Sequence, residues 1–302
     1  MTTSIALEET PTQNLRTKTS ALNTGARVQN RSVDYNSYLR SDKMPTLWCS
    51  GCGDGLVMKG LIRAVAELAW PKDEVAVVSG IGCSGRMSSY LDYNTLHTPH
   101  GRTLPFATGL KLAKPEAHII IIAGDGDALA IGGNHFLHAC RRNIDLTLII
   151  INNFIYGLTG GQFSPTTPVG AVAQTSPDGA MEPAFDAAKV AIAAGATYVA
   201  RSAVSNPHHI SEMIKGGLAH KGMSVVEVIS NCHVNFGRRN VSGEPEELIS
   251  WIGQRTVSQD LAGYMTDEEL GGRLVVGLLH HVQNQPEYVE SYYRKAAEIR
   301  GE

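Results

Sequence analysis

Apolar residues fall into two kinds of segment along the chain. Residues 54–70 carry apolar side chains at helical spacing, and further helices are predicted near 128–142, 182–194 and 207–220. Short, unbroken, β-branched runs lie between these segments and predict buried strands. The predicted strands cover residues 75–79, 118–123, 146–151, 197–200 and 224–229. Strands without polar alternation, separated by helices, are typical of an α/β fold that has a parallel sheet with helices on both faces.

The two ends of the chain break this pattern. Residues 1–40 are polar and lack apolar periodicity, so we expect a flexible N-terminal arm. Residues 41–237 carry the strand–helix alternation and are expected to form one domain. Residues 238–302 are more charged, with helices predicted near 246–254, 267–282 and 287–299. We expect this helical C-terminal tail to face a partner chain.

Composition narrows the classes of function. The chain has 302 residues, of which 43% are hydrophobic and 18% are charged. Its net charge of −3 gives no electrostatic basis for binding nucleic acid or a membrane surface. No apolar run approaches the roughly 18 residues of a membrane span, and the N-terminus lacks the apolar core of a secretory signal. We therefore expect a cytoplasmic protein, in which the five cysteines are thiols or ligands rather than disulfides.

Polar side chains follow two successive strands. Gly124-Asp125-Gly126 comes directly after one strand, and Asn153 comes 28 residues after Asp125, at the end of the next strand. Because the carboxyl ends of parallel strands meet at one edge, the two side chains are expected to bind one Mg²⁺ ion, with the backbone carbonyl of Ile155 as a third ligand. The helix after Asp127 offers free N–H groups to a diphosphate. A tight turn that contains Asp and Gly by chance is the alternative.

Four cysteines are predicted to lie in loops at the same edge. Cys49 and Cys52 precede a helix, and Cys83 and Cys232 each follow a strand, whereas Cys140 lies within a predicted helix and is expected to be a buried structural thiol. Four thiolates suit either a 4Fe–4S cluster or structural zinc. The single Cys-x-x-Cys pair favours the cluster. A thioredoxin-like redox site would need a small βαβ domain, which the wider chain does not match.

Several long strings resemble the β subunit of the 2-oxoacid:ferredoxin oxidoreductases, a family of thiamine-diphosphate enzymes. They are LWCSGCGDG, GIGCSGR, HTPHGRTLPFATGLKLAKP, GDGD and NNFIYGLTGGQFSPTTP. The resemblance implies a thiamine-diphosphate-binding fold, Mg²⁺ at Asp125, Asn153 and Ile155, and one 4Fe–4S cluster. The cluster ligands that it implies are Cys49, Cys52, Cys83 and Cys232. The thiamine-diphosphate contacts that it implies are Ile81, Gly82, Cys83, Ser84, His100, Gly126, Asp127, Gly157 and Leu158.

The reaction of that family is oxidative decarboxylation of a 2-oxoacid, or its reverse. The acyl group passes to coenzyme A, and the electrons pass through the cluster to ferredoxin. The glutamate that activates thiamine has no convincing match in this chain, and in two-subunit members it lies on the α subunit. The resemblance therefore implies an α-subunit partner and a hetero-oligomer such as (αβ)₂.

Two residues are candidate catalytic contacts. His100 is expected to meet the cofactor or the substrate, although a loop histidine can equally be a solvated or capping residue. Arg86 lies three residues after Cys83 and is expected to meet the substrate carboxylate. Its alternative is a surface or partner-facing arginine.

The substrate is expected to be 2-oxoglutarate, because HGRTLPFATGLKLA resembles that branch of the family. Pyruvate or broad 2-oxoacid specificity is the alternative; some relatives carry a basic residue where this chain has Gly160. A non-oxidative thiamine decarboxylase or synthase would explain Asp125 and Asn153 but not the cysteines. A zinc-stabilised, non-catalytic assembly subunit would explain the cysteines but not Asp125 with Asn153.

Overall fold

The chain forms one main sheet, seen in a computed structural model that describes residues 33–301. The strands of these residues are β1 (Val75–Ser79), β2 (Asn94–His97), β3 (His118–Gly124), β4 (Leu146–Asn152), β5 (Ile155–Tyr156), β6 (Gln162–Phe163), β7 (Tyr198–Ala203), β8 (Met223–Ile229), β9 (Thr256–Ser258) and β10 (Leu274–His281). Eight of them pair in the order β2-β1-β3-β4-β8-β7-β10-β9, and β5 pairs with β6 in a separate hairpin. From β2 to β7 every pairing is parallel, as predicted from the unbroken apolar runs.

Helices cover both faces of this sheet. The helices of the described residues are α1 (Asp54–Leu68), α2 (Met87–Tyr90), α3 (Thr103–Ala113), α4 (Gly133–Arg142), α5 (Ala187–Ala193), α6 (Pro207–Ala219), α7 (Arg238–Asn240), α8 (Pro245–Gln254), α9 (Gln259–Ala262), α10 (Asp267–Leu270) and α11 (Tyr288–Arg300). Neighbouring strand residues alternate between two cores, so that Ile120 and Ile149 pack with α1 and α6, whereas Ile121 and Ile150 pack with α3, α4 and α5. The predicted α/β fold is confirmed.

Some element boundaries differ from the predictions. The predicted helix at 128–142 begins as a π-helical turn, Asp127–Ile131, before α4. The predicted helix at 182–194 is only α5, because the side chain of Asp186 caps it by accepting a hydrogen bond from the backbone N–H of Lys189. Strand β2 and helix α3 were not predicted.

The C-terminal segment is not wholly helical, which corrects the prediction for residues 238–302. Residues 267–282 form a short helix, α10, followed by strand β10. Gly271 and Gly272 have positive φ angles of 54° and 74°, which end the helix. The apolar run of β10 then pairs antiparallel with β7. The pattern of a short apolar run fits either a helix or a strand. Here the run forms a strand because it pairs with the open edge of β7.

The N-terminal arm lies largely outside the described residues. Its last part, residues 33–40, contacts the domain: Tyr35–Tyr38 form a 3₁₀ turn, and Arg40 donates hydrogen bonds to the Tyr93 carbonyl at 2.9 Å and to Thr95 Oγ1 at 3.1 Å. Within residues 33–301, no helix combines the length and apolar character needed to cross a membrane.

Candidate functional site

The register of β3 and β4 brings the predicted metal ligands to one point. Gly124 lies opposite Ile151 in the parallel pair. The next residues, Asp125 and Asn152, therefore leave the sheet side by side, and Asn153 follows. Asp125 and Asn153 are both buried. The structure thus places the two predicted side-chain ligands at the same carboxyl edge.

Hydroxyl groups hold the carboxylate of Asp125. Ser164 Oγ and Thr166 Oγ1 donate to its Oδ2 atom at 2.5 and 2.6 Å. The backbone N–H groups of Gly126 and of Asp125 itself also bond this carboxylate, and no further side-chain donor within residues 33–301 reaches it. Burial raises the pKa of Asp125 to about 6, and the two hydroxyl donors act in the opposite direction. Sequence reasoning missed Ser164 and Thr166, although the string FSPTT was part of the resemblance.

The loop after β4 presents the other expected ligands. Phe154 has a φ of +64°, a left-handed conformation that turns the chain sharply between Asn153 and Ile155. The amide oxygen of Asn153 accepts a bond of 3.3 Å from the backbone N–H of Ile155. Carboxylate, amide and backbone oxygens are the donor set of a hard cation such as Mg²⁺. The residues present therefore fit the expected metal.

Two residues that the resemblance assigns to thiamine diphosphate contact each other. His100 Nδ1 lies 2.6 Å from Asp127 Oδ1, which also accepts from the backbone N–H of Gly101 at 2.7 Å. Burial raises the pKa of the Asp127 carboxyl, and the bonds from Gly101 and His100 oppose that shift. The pair leaves the Nε2 atom of His100 for another partner.

Close backbone approach characterises the surrounding loops. A Cβ atom built on Gly80 would lie 1.8 Å from Asp127 Oδ2, and one built on Gly126 would lie 2.2 Å from the ring of Tyr156. Only glycine fits at these two positions without a shift of the neighbours. Ser84 Oγ lies 3.2 Å from the place that a Cβ of Gly124 would occupy, so the Cys83 loop packs on the metal loop. Two further predicted contact residues, Ile81 and Leu158, are exposed.

Four cysteines line one cavity of about 180 Å³, which we call the cysteine cavity. They are Cys49, Cys52, Cys83 and Cys232. Cys140, in contrast, is buried in the core on the α4 face. Burial raises the pKa of Cys83 to about 12 and also raises the pKa of Cys52 and Cys232. Within residues 33–301, no three His, Cys, Asp or Glu side chains are arranged to hold a single metal ion; the thiols surround a space instead.

The cysteine cavity borders the metal loop. Asn153 and Gly157 line it together with the thiols. A Cβ atom on Gly157 would lie 3.4 Å from Cys232 Sγ, 3.5 Å from Cys83 Sγ and 4.0 Å from Asn153 Nδ2. Arg86 also lines this cavity, and its charge lowers the pKa of Cys83 against the larger effect of burial. The structure therefore brings Arg86 to the thiols.

Asp54 is a buried carboxyl that sequence reasoning missed. It is the first residue of α1, fully buried, and neither of its oxygens accepts a hydrogen bond from an N–H or O–H group of the described residues. Burial raises its pKa to about 7, a hydrogen bond with the Cys52 thiol acts in the opposite direction, and the nearby Asp125 charge adds to the rise. The same carboxyl raises the pKa of Cys52 and Cys83. Its sequence signal is a charged residue two positions after Cys52, at the start of an apolar helix.

Comparison with known proteins shows what the chain is similar to. Residues 80–228 match the family model of the thiamine pyrophosphate enzyme, C-terminal TPP binding domain. The chain is 47% identical over 265 residues to the 2-oxoglutarate synthase subunit KorB of Methanocaldococcus jannaschii, covering 88% of this chain and 98% of that relative. It is 57% identical over 200 residues to the subunit of the same name from Archaeoglobus fulgidus, covering 66% and 74%.

A solved structure is similar over nearly the whole chain. It is the 2-oxoglutarate:ferredoxin oxidoreductase from Magnetococcus marinus with 2-oxoglutarate, coenzyme A and succinyl-CoA bound. The TM-score is 0.79 at 32% identity, and the match covers 91% of this chain and 93% of that one.

Proposed function

The chain belongs to the KorB family, the β subunits of 2-oxoglutarate:ferredoxin oxidoreductases, and we propose that its sheet edge binds a magnesium–thiamine-diphosphate complex and a 4Fe–4S cluster side by side. The reaction is the oxidative decarboxylation of 2-oxoglutarate to succinyl-CoA and carbon dioxide, or its reverse. The observation that carries the two-cofactor proposal is the shared wall: Asn153 belongs to the metal loop and also lines the cysteine cavity. Neither a thiamine enzyme without electron transfer nor a zinc-stabilised subunit accounts for that arrangement.

Asp125, Asn153 and the Ile155 carbonyl hold the magnesium ion in this proposal. Their support is the buried carboxylate with one oxygen free of side-chain donors, next to an amide oxygen on the adjoining strand. Diphosphate oxygens and water would supply the remaining oxygen ligands that Mg²⁺ prefers. When bound, thiamine diphosphate supplies the carbanion chemistry at the 2-oxo carbon that side chains cannot supply.

Cys49, Cys52, Cys83 and Cys232 hold the cluster in this proposal. The cavity of about 180 Å³ that the four thiols help to line supports a bulky cluster over zinc, because zinc would need all four sulfurs about 2.3 Å from one point. The cluster supplies a one-electron acceptor. Cys49 is exposed, which gives the cluster site a side that faces solvent, and we propose that ferredoxin takes electrons there.

His100 and Arg86 have different roles in this proposal. Asp127 engages Nδ1 of His100. The other ring nitrogen, Nε2, is then the group that hydrogen-bonds the cofactor or the substrate in this proposal. Arg86 lines the cysteine cavity, and we propose that its charge acts on the thiolates there. Contact between Arg86 and the substrate carboxylate stays a prediction.

The β-subunit family implies an α subunit as partner. We propose that the α subunit supplies the glutamate that activates thiamine, and that the assembly is (αβ)₂. In this proposal, the cluster and the metal take their protein ligands from this chain.

The test is anaerobic purification of the chain with its α subunit, followed by metal analysis and absorption spectroscopy. We expect iron and sulfide in the ratio of one 4Fe–4S cluster per chain, and a visible band that bleaches when 2-oxoglutarate and coenzyme A are added. Pyruvate in place of 2-oxoglutarate should bleach it much more slowly. A colourless, zinc-loaded complex would refute the cluster, and equal bleaching by both acids would refute the substrate preference.

A further inference from the structure

Three hydroxyl side chains connect the two segments that carry the expected metal ligands. Ser164 and Thr166 donate to the Asp125 carboxylate at the end of β3. Thr167 Oγ1 donates to the backbone carbonyl of Phe154, in the loop after β4, at 2.6 Å. All three hydroxyl residues are 2% exposed. We call Ser164, Thr166 and Thr167 the hydroxyl clamp.

The direction of each bond in the clamp follows from counting protons. A carboxylate and a backbone carbonyl only accept, so each clamp hydroxyl uses its single proton there. Thr167 Oγ1 then accepts from the backbone N–H of Ser164 at 2.8 Å. Thr166 Oγ1 lies 2.6 Å from Asp125 and 2.9 Å from the Asn152 amide oxygen, and its one proton goes to the charged acceptor. Ser164 Oγ also lies 3.1 Å from Thr166 Oγ1 and 3.4 Å from Thr167 Oγ1, so the three hydroxyls form one connected network.

This arrangement fixes the ligand geometry on both sides. On the β3 side, two hydroxyl donors hold one oxygen of Asp125, and no side chain of residues 33–301 donates to the other. On the β4 side, Phe154 stands between Asn153 and Ile155 in the left-handed conformation. Its carbonyl is held by Thr167, and its N–H donates to the Asn152 side chain at 3.1 Å. The peptide groups on either side of Phe154 therefore cannot rotate freely.

We propose that the hydroxyl clamp sets the affinity of this chain for the metal–diphosphate group, by holding Asp125 and the loop of Asn153 and Ile155 in one fixed arrangement. The inference rests on the proposed function of the site. The clamp residues do not bind the metal; they position its ligands. Loss of such outer partners costs about ten- to a hundredfold in metal affinity in other proteins.

The test uses the αβ complex after a chelator has removed metal and thiamine diphosphate. Magnesium–thiamine diphosphate is titrated back into the wild type, Thr166→Val and Thr166→Ser, and the dissociation constant is measured by calorimetry. Valine keeps the shape but removes the proton donor, so we expect affinity to fall about ten- to a hundredfold. Serine keeps the donor and should bind within about threefold of the wild type. Iron content should stay unchanged in both variants.

Thr147→Val is the matched control. Thr147 lies on β4, is buried, and donates to the Gly217 carbonyl at 3.1 Å, away from Asp125. It loses an equivalent buried hydroxyl bond without touching the clamp, and its affinity should match the wild type. Equal affinity of Thr166→Val and wild type overturns the proposal, as does an equal loss in Thr166→Val and Thr147→Val. A wild-type complex that never binds the magnesium complex refutes the proposed function itself.

Discussion

The two halves of the carboxyl edge are built differently. In the metal half, Asp125 receives two hydroxyl donors and Phe154 is held at both its N–H and its carbonyl. In the cysteine half, four thiols surround an open cavity, and burial raises the pKa of Cys83 to about 12. Buried thiols become thiolates only as a metal replaces their protons. Hydrogen bonds within the chain therefore hold the metal half, whereas the thiols of the cysteine half need a metal to replace their protons.

The largest effect is expected for Cys232→Ser, which tests the cysteine half. Cys232 is one of four thiols on the cavity, so its loss should remove most of the iron and nearly all ferredoxin-linked activity, because three thiolates hold the cluster poorly. The measurement that checks this prediction is the iron content per chain under anaerobic conditions. In the control Cys140→Ser, iron should stay at the wild-type level, while the buried hydroxyl costs about 1–3 kcal/mol of unfolding free energy. Equal iron loss in both variants would contradict the ligand set.

In the metal half, Asp125→Asn should release thiamine diphosphate but keep the cluster. The amide retains the size of the side chain and can still bond the hydroxyls of Ser164 and Thr166, so the fold should survive. Without the negative charge, affinity for magnesium–thiamine diphosphate should fall by more than about a hundredfold, beyond the range for outer partners. Cofactor that stays with the variant through gel filtration at the wild-type level would count against Asp125 as a ligand.

Local pattern was enough to predict which side chains meet in each half. Unbroken apolar runs indicate buried parallel strands. The carboxyl ends of such strands lie at one edge of the sheet, which brings Asp125, Asn153 and the strand-end thiols together. The support of these ligands was not predictable. Ser164 and Thr166 lie 39 and 41 residues from Asp125, and only tertiary packing makes them its donors. Nothing local separates them from the many other hydroxyl residues.

The same limit explains the errors in the C-terminal segment. The pattern of Leu274–His281 predicts a helix, although a short apolar run has no decisive period. Its strand conformation depends on β7, whose edge offers antiparallel partners more than seventy residues earlier in the chain. The burial of Asp54 was not predictable for a related reason, because an acid in the first turn of a helix is ordinarily a surface residue.

Removal of metal by a chelator should affect the two halves unequally. Because hydrogen bonds hold the metal loop, residues 152–156 should keep most of their protection from hydrogen exchange, and magnesium–thiamine diphosphate should rebind fully. Loss of the cluster should instead raise exchange in residues 49–53 and 231–233, whose thiols then lack their common partner. At about a hundred times its dissociation constant, the magnesium complex should add about 2.7 kcal/mol to the stability of the chain. An equal rise in hydrogen exchange in both loops, after loss of either the metal or the cluster, would contradict the difference between the two halves.

The smallest expected effect comes from a pair of glycines, one in each half. A Cβ at Gly126 would lie 2.2 Å from the Tyr156 ring, so Gly126→Ala must displace that ring and should cost about 1–3 kcal/mol of unfolding free energy. A Cβ at Gly157 meets the sulfurs of Cys232 and Cys83 at 3.4 and 3.5 Å and Asn153 Nδ2 at 4.0 Å, which are ordinary contact distances. Gly157→Ala should therefore change the stability of the cofactor-free chain by less than about 0.5 kcal/mol. Denaturant unfolding of both variants measures the difference, and a larger cost at Gly157 would mean that the cysteine half is as tightly formed as the metal half.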